Sequence, residues 1–274
     1  VLAINGMEDW IALDYVVTTA ENVLSDGSDI VGKRVQEKDR TMEAVYWGRD
    51  RKGVRDEVIP FFNPKFSFKA YVTYFGRTRW CEGEQIGFDC PMVIENTPTK
   101  ITWTLLCPDP YLRSEYGNEE SLTDSKPMFG FPFVSHVQEV PPDGIKKPVG
   151  FNASITIYDG KNTVYNNGDV PTYYKIRCKC KGQIQNPMFL KDGKFIRMLD
   201  TYNAGDVIEI DFTAAPPTVT VNSVNSIQSC SRDSNFTGMA MQTGGNIFTY
   251  QCDNEENRIY MEVQVLFNRK YLGM

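Results

Sequence analysis

The sequence predicts a mainly β protein of two domains, with one short helix in the first, and three observations carry that reading. Apolar and polar residues alternate along many short runs, which is how a strand sorts its side chains onto opposite faces. Glycines beside Asp or Asn punctuate those runs at short intervals. One segment alone has helical spacing. At 274 residues the chain is long enough for two separate cores, predicted as residues 1–133 and 134–274.

Taken in order, Val1-Leu-Ala-Ile-Asn-Gly-Met7 reads as a short strand and turn. Leu24-Ser-Asp-Gly-Ser-Asp-Ile-Val-Gly-Lys33 is long and polar, either a surface loop or a hairpin reaching a neighbour. Asp50 is placed to cap a helix over 51–62 that sets Val54, Val58 and Ile59 in one stripe, with Pro60 and then Asn63-Pro64 ending it. Phe66, Phe68, Ala70, Val72 and Tyr74 share one face of a strand. Trp103, Leu105 and Cys107 share one face of another, which stops at Cys107-Pro-Asp-Pro-Tyr111, where two prolines remove backbone donors. The first domain closes after Tyr111. Residues 113–133 are polar, then rich in Pro, Gly and Phe, and read either as a surface linker or as a segment lying against a domain or neighbour.

In the second half Ile176, Cys178 and Cys180 alternate with Arg177, Lys179 and Lys181, an apolar face backed by a basic one. Ile208, Ile210 and Phe212 point inward with Glu209 and Asp211 outward. Ile259, Met261, Val263, Val265 and Phe267 make the longest alternation. Turns are predicted at Asp159-Gly, Asn167-Gly-Asp, Asp192-Gly, Ala204-Gly-Asp and Gly244-Gly-Asn. Strands at this spacing predict a sandwich or barrel.

Composition excludes several classes of function. Hydrophobic content of 41% and charged content of 23% are ordinary for a globular chain. No apolar run reaches the length of a membrane span, and no signal peptide is expected. The seven cysteines lack a repeating spacing and read as reduced, buried thiols made in a reducing cytosol. Residues 1–134 carry 15 Lys and Arg against 21 Asp and Glu, whereas 135–274 carry 14 of each. An acidic first half is a poor ligand for nucleic acid, because phosphate binding needs clustered cations.

No catalytic constellation emerges, so the expectation is a protein that is not an enzyme, with no catalytic, cofactor-binding or metal-binding residue and no cofactor. His136 is the only histidine, which removes multi-histidine metal sites and most histidine-assisted nucleophiles. Cys178 and Cys180 lack the second ligand pair that structural zinc needs. Asp206, Glu209 and Asp211 form the tightest acidic cluster, on a turn and an outward face where solvated carboxylates are normal. Tyr173, Tyr174, Tyr202 and Tyr250 are available to a sugar-binding face, and equally to sheet packing.

With these pieces placed, the chain resembles the distal tail proteins of long-tailed phages, the siphovirus-type tail components. The resemblance runs through Thr41-Met-Glu-Ala-Val-Tyr-Trp47 after a basic turn at Arg40, Arg55-Asp-Glu-Val-Ile-Pro-Phe-Phe-Asn-Pro-Lys65, Tyr74-Phe-Gly-Arg77 and Leu106-Cys-Pro-Asp-Pro-Tyr111. In the second half it runs through Asn166-Asn-Gly-Asp-Val-Pro-Thr172, Ile184-Gln-Asn-Pro187, Ala204-Gly-Asp-Val-Ile-Glu-Ile-Asp211, Gly244-Gly-Asn-Ile247 and Phe267-Asn-Arg-Lys-Tyr-Leu-Gly273. Two departures are the high cysteine count and Asn222-Ser223 in place of the usual Asn-Gly hairpin.

The resemblance implies an N-terminal β-sandwich-like ring domain with one short helix and a C-terminal galectin-like β-sandwich. It implies a structural baseplate hub in a phage or prophage virion, closing as a homohexamer around a channel for DNA. The implied partners are the tail tube protein, a tail-associated or tail-tip protein, and receptor-binding or baseplate proteins, with no specific nucleic-acid binding. The implied location is the tail tip, after synthesis in the cytoplasm of the bacterial host. The alternatives are a β-sandwich carbohydrate-binding protein recognising host-surface glycans, and a baseplate component of a contractile particle.

Overall fold

The computed structural model describes residues 3–6, 10, 13–21, 26–91, 97–115, 117–122, 124–127, 154–157 and 162–274. His136, the aromatic stretch 128–133, the Asp159-Gly160 turn, residues 1, 2 and 7, and residues 24–25 of the polar loop lie outside them. The protein is mainly β, with a single α-helix among the described residues and 3-10 conformation at Trp10, Ile227–Ser229 and Glu255–Tyr260. The chain forms two compact units: residues 1–117 with 168–170 and 268–274, and residues 118–167 with 171–267.

The first unit is built on a seven-stranded antiparallel sheet. Ala3–Gly6, Lys38–Tyr46, Thr99–Cys107, Arg77–Asp89, Leu112–Ser114 and Lys270–Tyr271 follow one another across it. Ser67–Tyr74 pairs with the first part of Arg77–Asp89. The alternation in Thr99–Cys107 is obeyed throughout: Ile101, Trp103, Leu105 and Cys107 are buried. In Ser67–Tyr74 the pattern holds at Ala70 and Val72, while Phe66 and Tyr74, expected on the same face, are exposed at its ends. The core gathers Trp10, Ala70, Val72, Cys81, Trp103, Leu105, Cys107 and Leu112.

Gly83 lies where strands crowd: a Cβ there would collide with the carbonyl of Leu106. The small residue admits the close approach that lets Arg77–Asp89 change partners at Glu84, which faces both Ser67 and Leu106.

The helix Arg51–Phe61 is capped as expected, the Asp50 carboxylate accepting from the Gly53 amide at 2.9 Å. The helix ends at Phe61, between Pro60 and Asn63-Pro64 as expected, with Pro60 held in its last turn. Its packing needs correction, because none of the helical residues is buried. Phe62, just past the end, carries the packing instead, with its ring 5.0 Å from both Phe88 and Trp103. The basic turn expected at Arg40 is also corrected, because Arg40 lies inside Lys38–Tyr46 and is buried.

The second unit is a two-sheet sandwich. One sheet orders Asn162–Asn166, Gly244–Gln251, Met188–Lys191 and Lys194–Arg197. The other orders Val224–Asn225, Thr218–Val221, Val207–Asp211, Tyr174–Cys180, Met261–Phe267 and Asn118–Ser121. Inward residues of both meet in one core: Phe189, Ile196, Phe248 and Tyr250 from the first, Ile176, Cys178, Ile208, Ile210, Val263 and Val265 from the second.

The turn residues act as their chemistry dictates. Asp192 and Gly193 both take positive φ (47° and 84°) in the two-residue hairpin from Lys191 to Lys194. Gly244-Gly-Asn starts a strand rather than forming the whole turn. Asn246, buried, fastens that entry by donating to the carbonyls of Gln242 (2.8 Å) and Gly244 (3.0 Å). Ile259, expected in the last long strand, instead lies in the 3-10 turn Glu255–Tyr260 and is exposed.

Candidate assembly interface

The most unusual surface belongs to the first unit. Tyr15–Glu21 and Ser28–Val35 form an antiparallel ribbon that has no third strand among the described residues. Its base is closed by the Gln36 amide donating to the Asp14 carbonyl (3.0 Å) and by Lys38 on the Asp14 carboxylate (2.7 Å). Cross-strand partners share a face, so Tyr15 with Val35, Val17 with Lys33 and Thr19 with Ile30 make one side. Val16 with Arg34 and Ala20 with Asp29 make the other. The register slips between Thr18 and Thr19, leaving Val31 as the extra residue of a bulge.

No residue of the ribbon is buried; Val31 is 68% exposed. A two-stranded ribbon without a packed layer is marginal in water. Its apolar side (Tyr15, Val17, Ile30) therefore calls for a cover. The sequence suggested a hairpin from the polar loop at 24–33. It did not locate the β-branched run Tyr15-Val-Val-Thr-Thr19 that forms the other half, although that run was a legible strand signal.

A second open edge lies in the same unit. Ser67–Tyr74 is paired on one side only among the described residues, and an unpaired edge is a template for another chain. Its hairpin turns through Phe75 (φ 46°) and Gly76 (φ 74°). Phe75 occupies a left-handed position that costs an L-residue about 1 kcal/mol, and is 88% exposed with its ring 4.4 Å from that of Tyr74.

The Pro108-Asp-Pro110 turn is a structural clasp. Asp109 accepts from Arg113 Nη2 at 2.9 Å and Lys270 Nζ at 2.8 Å. Arg113 also reaches Glu82 (3.4 Å), which holds Lys69 (2.9 Å). Burial alone would raise the Asp109 carboxyl, but hydrogen bonds from Lys270 and Arg113 hold it below the usual carboxylate range.

In the second unit the chemical candidates resolve into packing and ion pairs. Glu209 binds Arg177 at 2.7 Å and Asp211 binds Lys175 at 3.0 Å, while Asp206 accepts from the Asn203 amide and from Asn222, each at 2.8 Å. The Asn203 and Asn222 bonds pull Asp206 below its ordinary range. Cys178 and Cys180 share one buried face, and contact with Cys180 together with burial pushes the Cys178 thiol well above its ordinary range. No group of three metal-ligating side chains occurs among the described residues.

Of the two roles open to the tyrosines, sheet packing takes three: Tyr174, Tyr202 and Tyr250 are buried in the core. Only Tyr173, at 50% exposure, remains at the surface.

Comparison with known proteins agrees with the motif resemblance. Residues 167–271 match the family described as siphovirus-type tail component, C-terminal domain. The fold of the chain is similar to the crystal structure of SPP1 Dit, described as a paradigm of the hub adsorption apparatus in phages infecting Gram-positive hosts. Identity there is 12%, coverage 99% of this chain and 94% of that one, and the TM-score 0.67. The activated phage P2 baseplate, solved with calcium and with strontium, contains chains similar over 100% of this chain and 92% of theirs, at 8% identity and a TM-score of 0.52. No curated protein matches.

Proposed function

We propose that this chain, whose residues 167–271 match the siphovirus-type tail component C-terminal domain, is a structural hub of a phage tail tip. Copies close into a hexameric ring around a channel for DNA. One observation carries the reading: among the described residues, the first unit exposes an uncovered ribbon at Tyr15–Glu21 and Ser28–Val35 and, separately, an unpaired strand edge at Ser67–Tyr74. Two different surfaces on one copy are what a heterologous contact needs, and such a contact closes into a ring when its rotation permits.

The ring-forming role belongs to the expected domain 1–133, joined by the closing strand Lys270–Tyr271, and abuts the tail tube and a tail-associated protein. The galectin-like part, expected at 134–274, carries receptor-binding or baseplate proteins. The chain catalyses nothing. It works in the virion after synthesis in the host cytoplasm. The acidic first half lines the channel, where negative walls let DNA pass without sticking.

The test is the mass of the purified chain in solution, alone and with its tail tube protein, together with negative-stain images. Annular particles of six copies are expected. A chain that stays monomeric in both conditions would reject the hub.

A further inference from the structure

Beyond assembly, the outward face of the six-stranded sheet holds an unassigned cleft. It has a volume of about 400 Å³, within the usual range of small-molecule sites, and is lined by Arg177, Lys179, Val207, Glu209, Asn222 and Ser223. Lys175, Arg177, Lys179 and Lys181 make a basic row along this face. Three of them are neutralised: Lys175 by Asp211, Arg177 by Glu209 and Lys181 by Glu262 at 3.3 Å. Lys179 stands opposite Val207 on one neighbouring strand and Glu262 on the other, and Glu262 is already engaged by Lys181. Lys179 is exposed and makes no ion pair or hydrogen bond through its side chain among the described residues.

The remaining valences are specific. Arg177 binds Glu209 through Nε, leaving both Nη groups and the second carboxylate oxygen of Glu209 without partners among the described residues. Asn222 spends its amide on the floor, accepting from the Val207 amide at 2.9 Å and donating to Asp206. That bonding fixes the turn presenting the Ser223 hydroxyl. Open donors thus outnumber open acceptors, and one cation lacks a counter-charge. A bare anion would meet Glu209, whereas a ligand that also carries hydroxyls satisfies it. No aromatic ring among the described residues lines the cleft, which disfavours a neutral sugar held by stacking.

We propose that this cleft binds an acidic saccharide, a sugar bearing a phosphate or a carboxylate. The anion sits between Lys179 and the Nη groups of Arg177, and ring hydroxyls bond Glu209 and Ser223. The proposal is independent of ring formation.

The test titrates the full chain with glucose 6-phosphate, glucuronic acid, glucose and inorganic phosphate, by calorimetry or ligand-observed NMR. At least one acidic sugar is expected to bind about tenfold tighter than either glucose or phosphate, more weakly as salt is added. Lys179→Ala is expected to lose about tenfold and Lys179→Arg to stay within about threefold of the parent. Lys179 is exposed, so both variants keep the parent melting temperature. Equal binding of glucose or of phosphate, an unaffected Lys179→Ala variant, or absence of saturable binding by both acidic sugars would overturn the proposal.

Discussion

The guanidinium of Arg40 stacks on the indole of Trp10, 5.1 Å from the ring centre, where the arginine is 1% exposed. Its Nη2 donates to the Pro110 carbonyl at 2.8 Å and Nη1 to the Trp10 carbonyl at 3.5 Å. The Trp10 indole in turn donates to the Thr41 carbonyl at 3.2 Å. One side chain thereby fastens the N-terminal segment, a central strand and the proline turn.

Removing that fastener exposes the cost of the buried carbonyls. Arg40→Met is expected to lower unfolding stability by about 2–4 kcal/mol, through lost charge-assisted bonds and imperfect filling. Arg40→Lys is expected to recover less than half, since an ammonium cannot span both carbonyls. Urea unfolding midpoints measure both.

Asp109 supplies a pH signature. Its folded pKa lies below the unfolded value of about 3.9. The stabilisation is therefore fully present above that value and lost as pH falls through the depressed folded one. Asp109→Asn should cost about 1–2 kcal/mol near pH 7. The gap to the parent should shrink toward zero in strong acid, and chemical unfolding across that range will show whether it does.

The Asn222-Ser223 hairpin can be separated into its two jobs. Asn222 (φ 51°) bonds Val207 and Asp206 through its side chain, so Asn222→Ala should destabilise by about 1–2 kcal/mol. Ser223 holds φ 67° with no compensating bond from its side chain among the described residues, so Ser223→Gly should stabilise by about 0.5–1 kcal/mol. Thermal melts of the pair decide whether glycine is the better occupant.

The ribbon predicts an assembly phenotype without a folding one. Ile30→Asp places a charge on its apolar face and should abolish rings while leaving the melting temperature within about 2 °C of the parent. Thr18→Asp, on the opposite face, should leave assembly intact. Sizing and electron micrographs of the two variants provide the contrast.

Thiol labelling checks the buried cysteines. Six of the seven are buried, and Cys230, half-buried, has its thiol pushed up by burial to about 11. At about pH 8 the native chain should label at no more than one site, slowly, and at all seven once denatured. Rapid labelling of several thiols in the native state would contradict the packing described.

Where a strand buried one face, its sequence was sufficient to place it: the alternations at 101–107, 176–180, 206–212 and 261–267 all put the expected apolar face inside. Legibility fell where tertiary context overrode local pattern. Arg40 looks like a surface residue because nothing nearby in sequence announces the carbonyls of Trp10 and Pro110. Tyr174, Tyr202 and Tyr250 carry the same side chain as Tyr173, and only the fold decides which rings the core takes. The helix at 51–61 was legible from its cap, but its apolar stripe overstated its burial, because Phe62 does that packing. The ribbon was half legible: with neither side buried in the isolated chain, period-two patterning had nothing to record.

Lys270–Tyr271 completes a sheet whose other edge is laid down at Ala3–Gly6. On the ribosome, that last ladder position stays vacant until the entire second unit has been translated. Nascent or prematurely terminated copies would offer Asp109 without Lys270 and Leu112–Ser114 without its outer neighbour. The first sheet is therefore complete only after the second unit, which lies between its strands in sequence, has been made.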